Sequence, residues 1–235
     1  MLLATTLNVA PVATNQIYFN DFNGQPGTTY PEWSSSSITH SSRATPPGSG
    51  TLPAPPVTNT ISSNRAQTFL GLFGGPAIGA PGHPGYNHTR VDQTITLALT
   101  NLPPHASLTL SFDLYVVRSW DGNSPAYGPD RFRLSVEGGP VLLDTTFSNN
   151  PKTSTEGSFQ DYPIPHSAPW SGASATNTLG YDKFFGDSTY HLQYSFPHAE
   201  PNVAIHFSSS LFEGKGTADE AWGLDNVRLT TTNER

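Results

Sequence analysis

The segment Ser107 to Val117, SLTLSFDLYVV, sets Leu108, Leu110, Phe112, Leu114 and Val116 at every second position and Thr109, Ser111 and Asp113 between them. A period of two held this long puts the apolar set on one face of an extended chain, which predicts a strand with one face buried and one face wet. The same alternation recurs. VDQTITLAL carries Ile95, Leu97 and Leu99; DRFRLSVEG carries Phe132, Leu134 and Val136; TYHLQYSF carries Tyr190, Leu192, Tyr194 and Phe196; NVAIHF carries Val203, Ile205 and Phe207. QIYFNDF, from Gln16 to Phe22, reads as an aromatic opening strand. No stretch shows a helical period.

Turn signals separate these runs at Asn101-Leu102-Pro103-Pro104, at Gly138-Gly139-Pro140 and from Pro197 to Pro201. DRFRLSVEGGPVLLDTTF reads as a hairpin through Gly138-Gly139. The expected architecture is all-β: a two-sheet antiparallel jelly-roll sandwich of around nine to eleven strands. Long Pro/Gly/Ser-rich loops interrupt it. Thr39 to Ser63, Pro76 to His88 and Asn149 to Thr178 do not read as strands.

Composition limits what such a sandwich does. The chain has 235 residues, 22 Pro and 21 Gly, only 12% charged residues and a net charge of −7, with no basic stripe to neutralise phosphates. Nucleic-acid binding is therefore not expected. Aromatics at 11% argue against disorder. The absence of cysteine excludes disulfides, thiolate metal sites and cysteine catalysis within these residues. No segment approaches the roughly 18 apolar residues of a membrane span. Residues 1–15 read as an extended N-terminal segment, either the remnant of a trimmed signal or a strand exchanged with a neighbour. Residues 16–232 read as a single sandwich domain.

The closing segment GTADEAWGLDNVRL changes phase: Trp222 and Leu224 keep one alternation, Val227 and Leu229 the other. The flip at Asp225-Asn226 requires a bulge or kink. Acidic residues gather near strand ends at Asp21, Asp121, Asp130, Asp219, Glu220 and Asp225. Calcium takes six to eight hard oxygen ligands, and these residues are the candidate metal ligands, with Asp21 and Asp225 foremost if the first and last strands pair. The same residue types also suit turns and strand caps. Asp219 and Glu220, as neighbours on an extended strand, would point to opposite faces.

Aromatics beside loops supply a second candidate site. Trp33, Trp120, Trp170, Tyr86, Tyr127 and Tyr181 all fall there. Trp120, Asn123, Tyr127 and Trp170 are the candidate ligand-binding residues, because flat rings stack on sugars while polar neighbours fix hydroxyls. A loop aromatic also serves as a core cap, and Trp222 reads as core. His83 and His88 share one loop, and Asn87-His88-Thr89 is a formal glycosylation acceptor. His191 and His206 are out of phase with the apolar face and read as solvent-facing. No residues are assigned as catalytic: there is no nucleophile elbow, no phosphate-cradling loop and no Glu-x-Asp-x-x-Glu carboxylate string.

The opening DFNG and closing WGLDNVRL resemble the terminal strands of MAM domains and related laminin-G-like, calcium-dependent jelly-roll modules, although the paired cysteines of animal MAM domains are missing. The strings FDLYVVRSWDGN and DEAWGLDNVRL are similar to those of bacterial exported proteins. The resemblance implies a concanavalin-like or galactose-binding-like sandwich at the cell surface or outside it, with calcium held near Asp21 and Asp225. The resulting expectation is a non-catalytic binding or adhesion module whose partner is a glycan or cell-surface component. A structural subunit of a surface layer or filament, self-associating through the N-terminal segment, is the alternative; a polysaccharide hydrolase or lyase is a further one.

Overall fold

The computed structural model describes residues 14–42, 48–78, 89–181 and 184–232. The N-terminal segment up to residue 13, His83, Tyr86, Asn87 and His88 lie outside the described residues. In chain order the strands are β1 (Thr14–Asn20), β2 (Trp33–Ser35), β3 (Ile38–Ser42), β4 (Ser49–Leu52), β5 (Asn59–Ile61), β6 (Thr68–Phe73) and β7 (Thr89–Leu99). Then follow β8 (Ser107–Arg118), β9 (Arg131–Val136), β10 (Val141–Thr146), β11 (Ala175–Thr176), β12 (Asp187–Pro197), β13 (Val203–Leu211) and β14 (Glu220–Thr232). Among the described residues helix is confined to one turn, α1 (Thr153–Glu156), and a 3₁₀ turn at Gly216–Ala218.

Two seven-stranded antiparallel sheets form the sandwich. One runs β11-β12-β8-β14-β6-β5 with β1 added on β14; the other runs β10-β9-β13-β7-β3-β4 with β2 added on β7. From β6 onward the long strands hop between sheets, which is jelly-roll connectivity. The expected alternation is realised in the register. Leu114 faces Tyr190, Phe112 faces Leu192, Leu110 faces Tyr194 and Leu108 faces Phe196 across β8 and β12. These side chains meet Ile95, Leu97, Phe132, Leu134, Ile205 and Phe207 of the other sheet in one core. Edge-on aromatic pairs stitch the two layers: Phe112 to Phe207 at 5.2 Å and Phe132 to Trp222 at 5.3 Å between ring centroids. Full burial of each such ring is worth about 1.5–3 kcal/mol.

Three expectations need correction. Among the described residues there are fourteen strands, not nine to eleven, because short strands of two to five residues carry too little pattern to show a period. Thr39 to Ser63, read as loop, contains most of β3 and all of β4 and β5: backbone pairing to β7 and β6 makes strands of a Ser/Thr-rich sequence with little apolar alternation. β6, TFLGLF, shows no two-residue period either; it is mostly buried and so lacks a wet face to alternate with. The hairpin at Gly138-Gly139 is present, with β9 and β10 antiparallel and Gly138 at φ +65°.

β14 organises the molecule. It pairs with β8 along one side. On its other side it pairs first with β6, over Trp222–Leu224, and then with β1, over Val227–Thr232. The expected phase flip is a register shift between Asp225 and Arg228, with Asn226 at φ +50°. The bulge therefore sits where the flanking partner changes.

Candidate functional site

The outer face of the β12-β8-β14 sheet is divided in two. Over one half, Phe69, Tyr115, Val117, Leu179 and Ala221 form a small second core. The other half is polar and carries a groove of about 480 Å³ lined by Phe19, Ser111, Asp113, His191, Gln193, Asn226 and Arg228. The alternation that sends Phe112 and Leu192 inward sends Ser111, Asp113, His191 and Gln193 outward, so the strand period itself builds the groove. Asp113 is engaged on both oxygens: Oδ1 pairs with His191 Nδ1, and Oδ2 accepts a hydrogen bond from Asn226 Nδ2 at 2.8 Å. The Arg228 guanidinium sits 4.8 Å from the centroid of the Phe19 ring, which is 41% exposed, and Nη1 donates to Gln16 Oε1 at 2.5 Å. The expectation that His191 faces solvent holds, but with a carboxylate partner.

Asp225 marks the border between the two halves. Its Oδ2 accepts hydrogen bonds from Gln67 Nε2 at 2.6 Å and Tyr115 Oη at 3.0 Å, and its Oδ1 accepts from the Asn226 backbone N–H at 2.8 Å. Burial raises its pKa to about 6 against those lowering hydrogen bonds. Asp21 follows directly after β1, which pairs with β14, so the terminal strands do lie side by side. The two carboxylates nevertheless serve different partners. Asp21 Oδ1 accepts from the Asn23 N–H at 3.4 Å, while Asp225 turns toward Gln67 and Tyr115.

The other end of β14 brings the remaining acidic candidates together. Asp121, Asp130 and Glu220, all buried, present one carboxylate oxygen each within 4.8 Å of one another; Glu213, Asp219 and Glu220 do the same. The expectation that Asp219 and Glu220 point apart is corrected. Asp219 ends the 3₁₀ turn at φ −117°, ψ −53°, so the chain is not extended there and both side chains reach the same cluster. Glu213 was missed by sequence reasoning; it has φ +59° and is followed by Gly214, a turn signal that would have marked it.

Asp130 is held by two backbone donors: Oδ2 accepts from the Asp121 N–H and Oδ1 from the Phe212 N–H at 3.1 Å. Asn150 Nδ2 donates to Asp121 Oδ1, and Ser119 Oγ donates to Asp219 Oδ1 at 2.8 Å. Glu220 Oε1 is buried without any hydrogen-bond partner. Lys215 answers the rim, with Nζ 2.8 Å from Glu213 Oε1 and 3.4 Å from Asp219 Oδ2. Burial first, and neighbouring carboxylates after it, push Asp130 and Glu220 well above the usual carboxylate range and raise Asp121 and Glu213. A pocket of about 240 Å³, bordered by Asp121, Tyr127, Asn150, Glu213 and Asp219, opens this cluster to solvent.

The loop that positions Asp121 and Asp130 is tightly built. Asp130 N–H donates to Gly122 C=O at 2.9 Å and Ser124 N–H to Asp121 C=O at 3.1 Å. Gly122 has φ +59°, and a Cβ there would lie 2.2 Å from the Phe159 carbonyl oxygen, so only glycine fits.

The aromatic candidates separate. Trp120 as a ligand platform is corrected: it is fully buried, with Nε1 donating to Ala221 C=O at 2.8 Å, because the indole anchors the loop on β14. Asn123 uses its amide internally, donating to Asp161 Oδ1 at 2.8 Å and accepting from Thr146 Oγ1 at 3.0 Å. Tyr127, 39% exposed, stands at the mouth of the acidic pocket. Trp170 is half-buried at φ +62° and borders neither the groove nor the acidic pocket. Trp222 is core, as expected.

No family model and no curated protein matches the chain. Among solved structures, it is similar to dimeric latent PorU from Porphyromonas gingivalis (TM-score 0.39, 13% identity), covering 91% of this chain and 14% of that one. A mannan-recognising carbohydrate-binding module, TmCBM27, is similar with TM-score 0.45 and 12% identity over 93% of this chain and 98% of its own. The exo-β-1,3-galactanase of Phanerochaete chrysosporium gives TM-score 0.31 and 14% identity over 95% of this chain and 30% of its own. The chain thus spans under a third of PorU and of the galactanase, and nearly the whole of the binding module.

Proposed function

We propose that the chain is an extracellular, non-catalytic binding module that takes a glycan on the outer face of the β12-β8-β14 sheet. The polar groove carries this reading. At about 480 Å³ it has the size of a small-ligand site. It offers a carboxylate, an imidazole, two amides, a hydroxyl, a guanidinium and one exposed ring, the mixture of donors and acceptors that sugar hydroxyls need beside an apolar surface. Ser111 and Gln193 have no side-chain partner among the described residues, which leaves their polar atoms to a ligand.

A non-catalytic role is supported by the engagement of the nearby carboxylates. Glycoside hydrolysis needs an acid and a base or nucleophile flanking the scissile bond. Asp113 is held on both oxygens by His191 and Asn226, and Asp225 by Gln67, Tyr115 and the Asn226 N–H. The extracellular setting is supported by the low charge and the Ser-, Thr-, Pro- and Gly-rich composition, together with the likeness of the terminal strands to MAM and laminin-G-like modules.

Calorimetric titration against a panel of soluble polysaccharides tests the reading. At least one glycan binds, and Gln193→Ala combined with Arg228→Ala weakens it tenfold or more, about 1.4 kcal/mol. Equal affinity in the double variant removes the groove from the account, and product release from any glycan removes the non-catalytic role.

A further inference from the structure

We propose that Asp121, Asp130 and Glu220 bind one hard divalent cation of the calcium type, which clamps the Trp120–Asp130 loop to the start of β14. The site is independent of the glycan groove, which lies at the bulge further along the same strand.

Three observations converge. The ligand oxygens lie within 4.8 Å of one another. Two oxygens on opposite sides of a calcium ion, each at roughly 2.4 Å, are about that far apart. The donor set is all oxygen, with no thiolate or imidazole among the clustered residues, which suits a hard cation over a transition metal. Glu220 supplies the independent sign. It is 3% exposed, its Oε1 has no hydrogen-bond partner, and a buried carboxylate oxygen left this way is strongly disfavoured in its charged form unless a cation meets it; without one the group takes up a proton instead.

Lys215 does not fill this role. Its ion pairs go to Glu213 and Asp219 at the rim, leaving the three inner carboxylates without a cationic side chain in ion-pair range among the described residues. The backbone N–H groups of Asp121 and Phe212 orient Asp130 and still leave lone pairs on each oxygen for a metal. The pocket bordered by Asp121, Asn150 and Asp219 gives an entry path, and water through it completes the shell. The clamp joins segments distant in sequence: Asp121 and Asp130 flank the loop before β9, and Glu220 opens β14.

The test uses the full chain after EDTA treatment and dialysis, titrated with CaCl2 and, separately, with MgCl2. One equivalent of calcium binds more tightly than magnesium. At a hundredfold excess over Kd the melting temperature rises by roughly 5–10 °C. Glu220→Gln loses calcium affinity at least tenfold yet melts no lower than the parent in EDTA, since an amide removes the buried charge. Asp121→Asn serves as the second variant if Glu220→Gln does not fold, with the same expected loss. No binding heat and an unchanged melting temperature in the parent overturn the proposal. Wild-type affinity in both variants also overturns it, because the ion is then held elsewhere.

Discussion

Glu220 and Asp225 lie five residues apart on one strand, each 3% exposed and each raised above the ordinary carboxylate range by burial. Their surroundings are opposite. Asp225 receives three hydrogen bonds, from Gln67, Tyr115 and the Asn226 N–H. Glu220 has an oxygen with no donor and further carboxylates around it, while the nearest ammonium is committed to the rim. A buried carboxyl either takes up a proton or, in its charged form, is satisfied by donors from the fold or by a cation from solution. Asp225 is built the first way. The proposed calcium site would satisfy Glu220 the second way. The position of an acidic residue on a strand thus says less about metal binding than the count of donors aimed at it.

The largest effect is expected where the fold holds the Glu220 end in shape. Gly122→Ala places a Cβ against the Phe159 carbonyl at a left-handed φ, and the loop carrying Asp121 and Asp130 has to move. Urea denaturation should show a loss of about 3 kcal/mol, and calcium titration a weaker site. An alanine variant with parental stability and affinity would mean the loop does not set the cluster.

The Asp225 end is expected to answer to protons rather than to metal. Its pKa is about 6 in the fold and roughly 3.9 in an unfolded chain. Between these values the native state binds more protons than the unfolded state, so stability falls as pH rises from 4 to 6 and levels off above. The expected change is about 2 kcal/mol. It is read as the pH dependence of the stability difference between the parent and Asp225→Asn, both in saturating calcium. A difference that stays constant from pH 4.5 to 7.5 would place the Asp225 carboxyl at its unfolded value and dissolve the contrast.

The long strands were readable because each buries one face of a two-residue period: β8 and β12 follow their sequence alternation through to the register. The bulge was readable too, since apolar phase has to be restored after an inserted residue, and Trp222 and Val227 could not otherwise both face the core. What could not be read is which distant residues meet. Asp121, Asp130 and Glu220 all stood among the candidates, but nothing local tells that the loop before β9 docks on the first residue of β14. The WDGN string suggested a sugar platform at Trp120 because a loop tryptophan looks the same in sequence whether it faces solvent or anchors the loop; the bond from its indole to Ala221 decides for the anchor. The groove was half visible. Alternation assigned Ser111, Asp113 and His191 to the wet face, whereas their neighbours Phe19, Asn226 and Arg228 depend on pairing between the chain's two ends.

The smallest effect sharpens the contrast most directly, because it moves Asp225 one step toward the condition of Glu220. Tyr115→Phe deletes a single donor to Asp225 Oδ2 while keeping the ring, which packs edge-on against Phe69 at 5.0 Å. Gln67 Nε2 still reaches the same oxygen, so the carboxylate is left with two of its three donors. A hydrogen bond to a charged group contributes about 1.5 kcal/mol at the lower end of its range, and that is the loss expected at pH 7.5 in urea denaturation. The loss shrinks at pH 4.5, where the carboxyl is protonated and needs fewer donors. Calcium affinity should not change, since Tyr115 belongs to the second core and not to the carboxylate cluster. A weakened calcium site in this variant would show that the two ends of β14 act as one unit, and the division between a carboxylate satisfied by the fold and one awaiting a cation would then have to be abandoned.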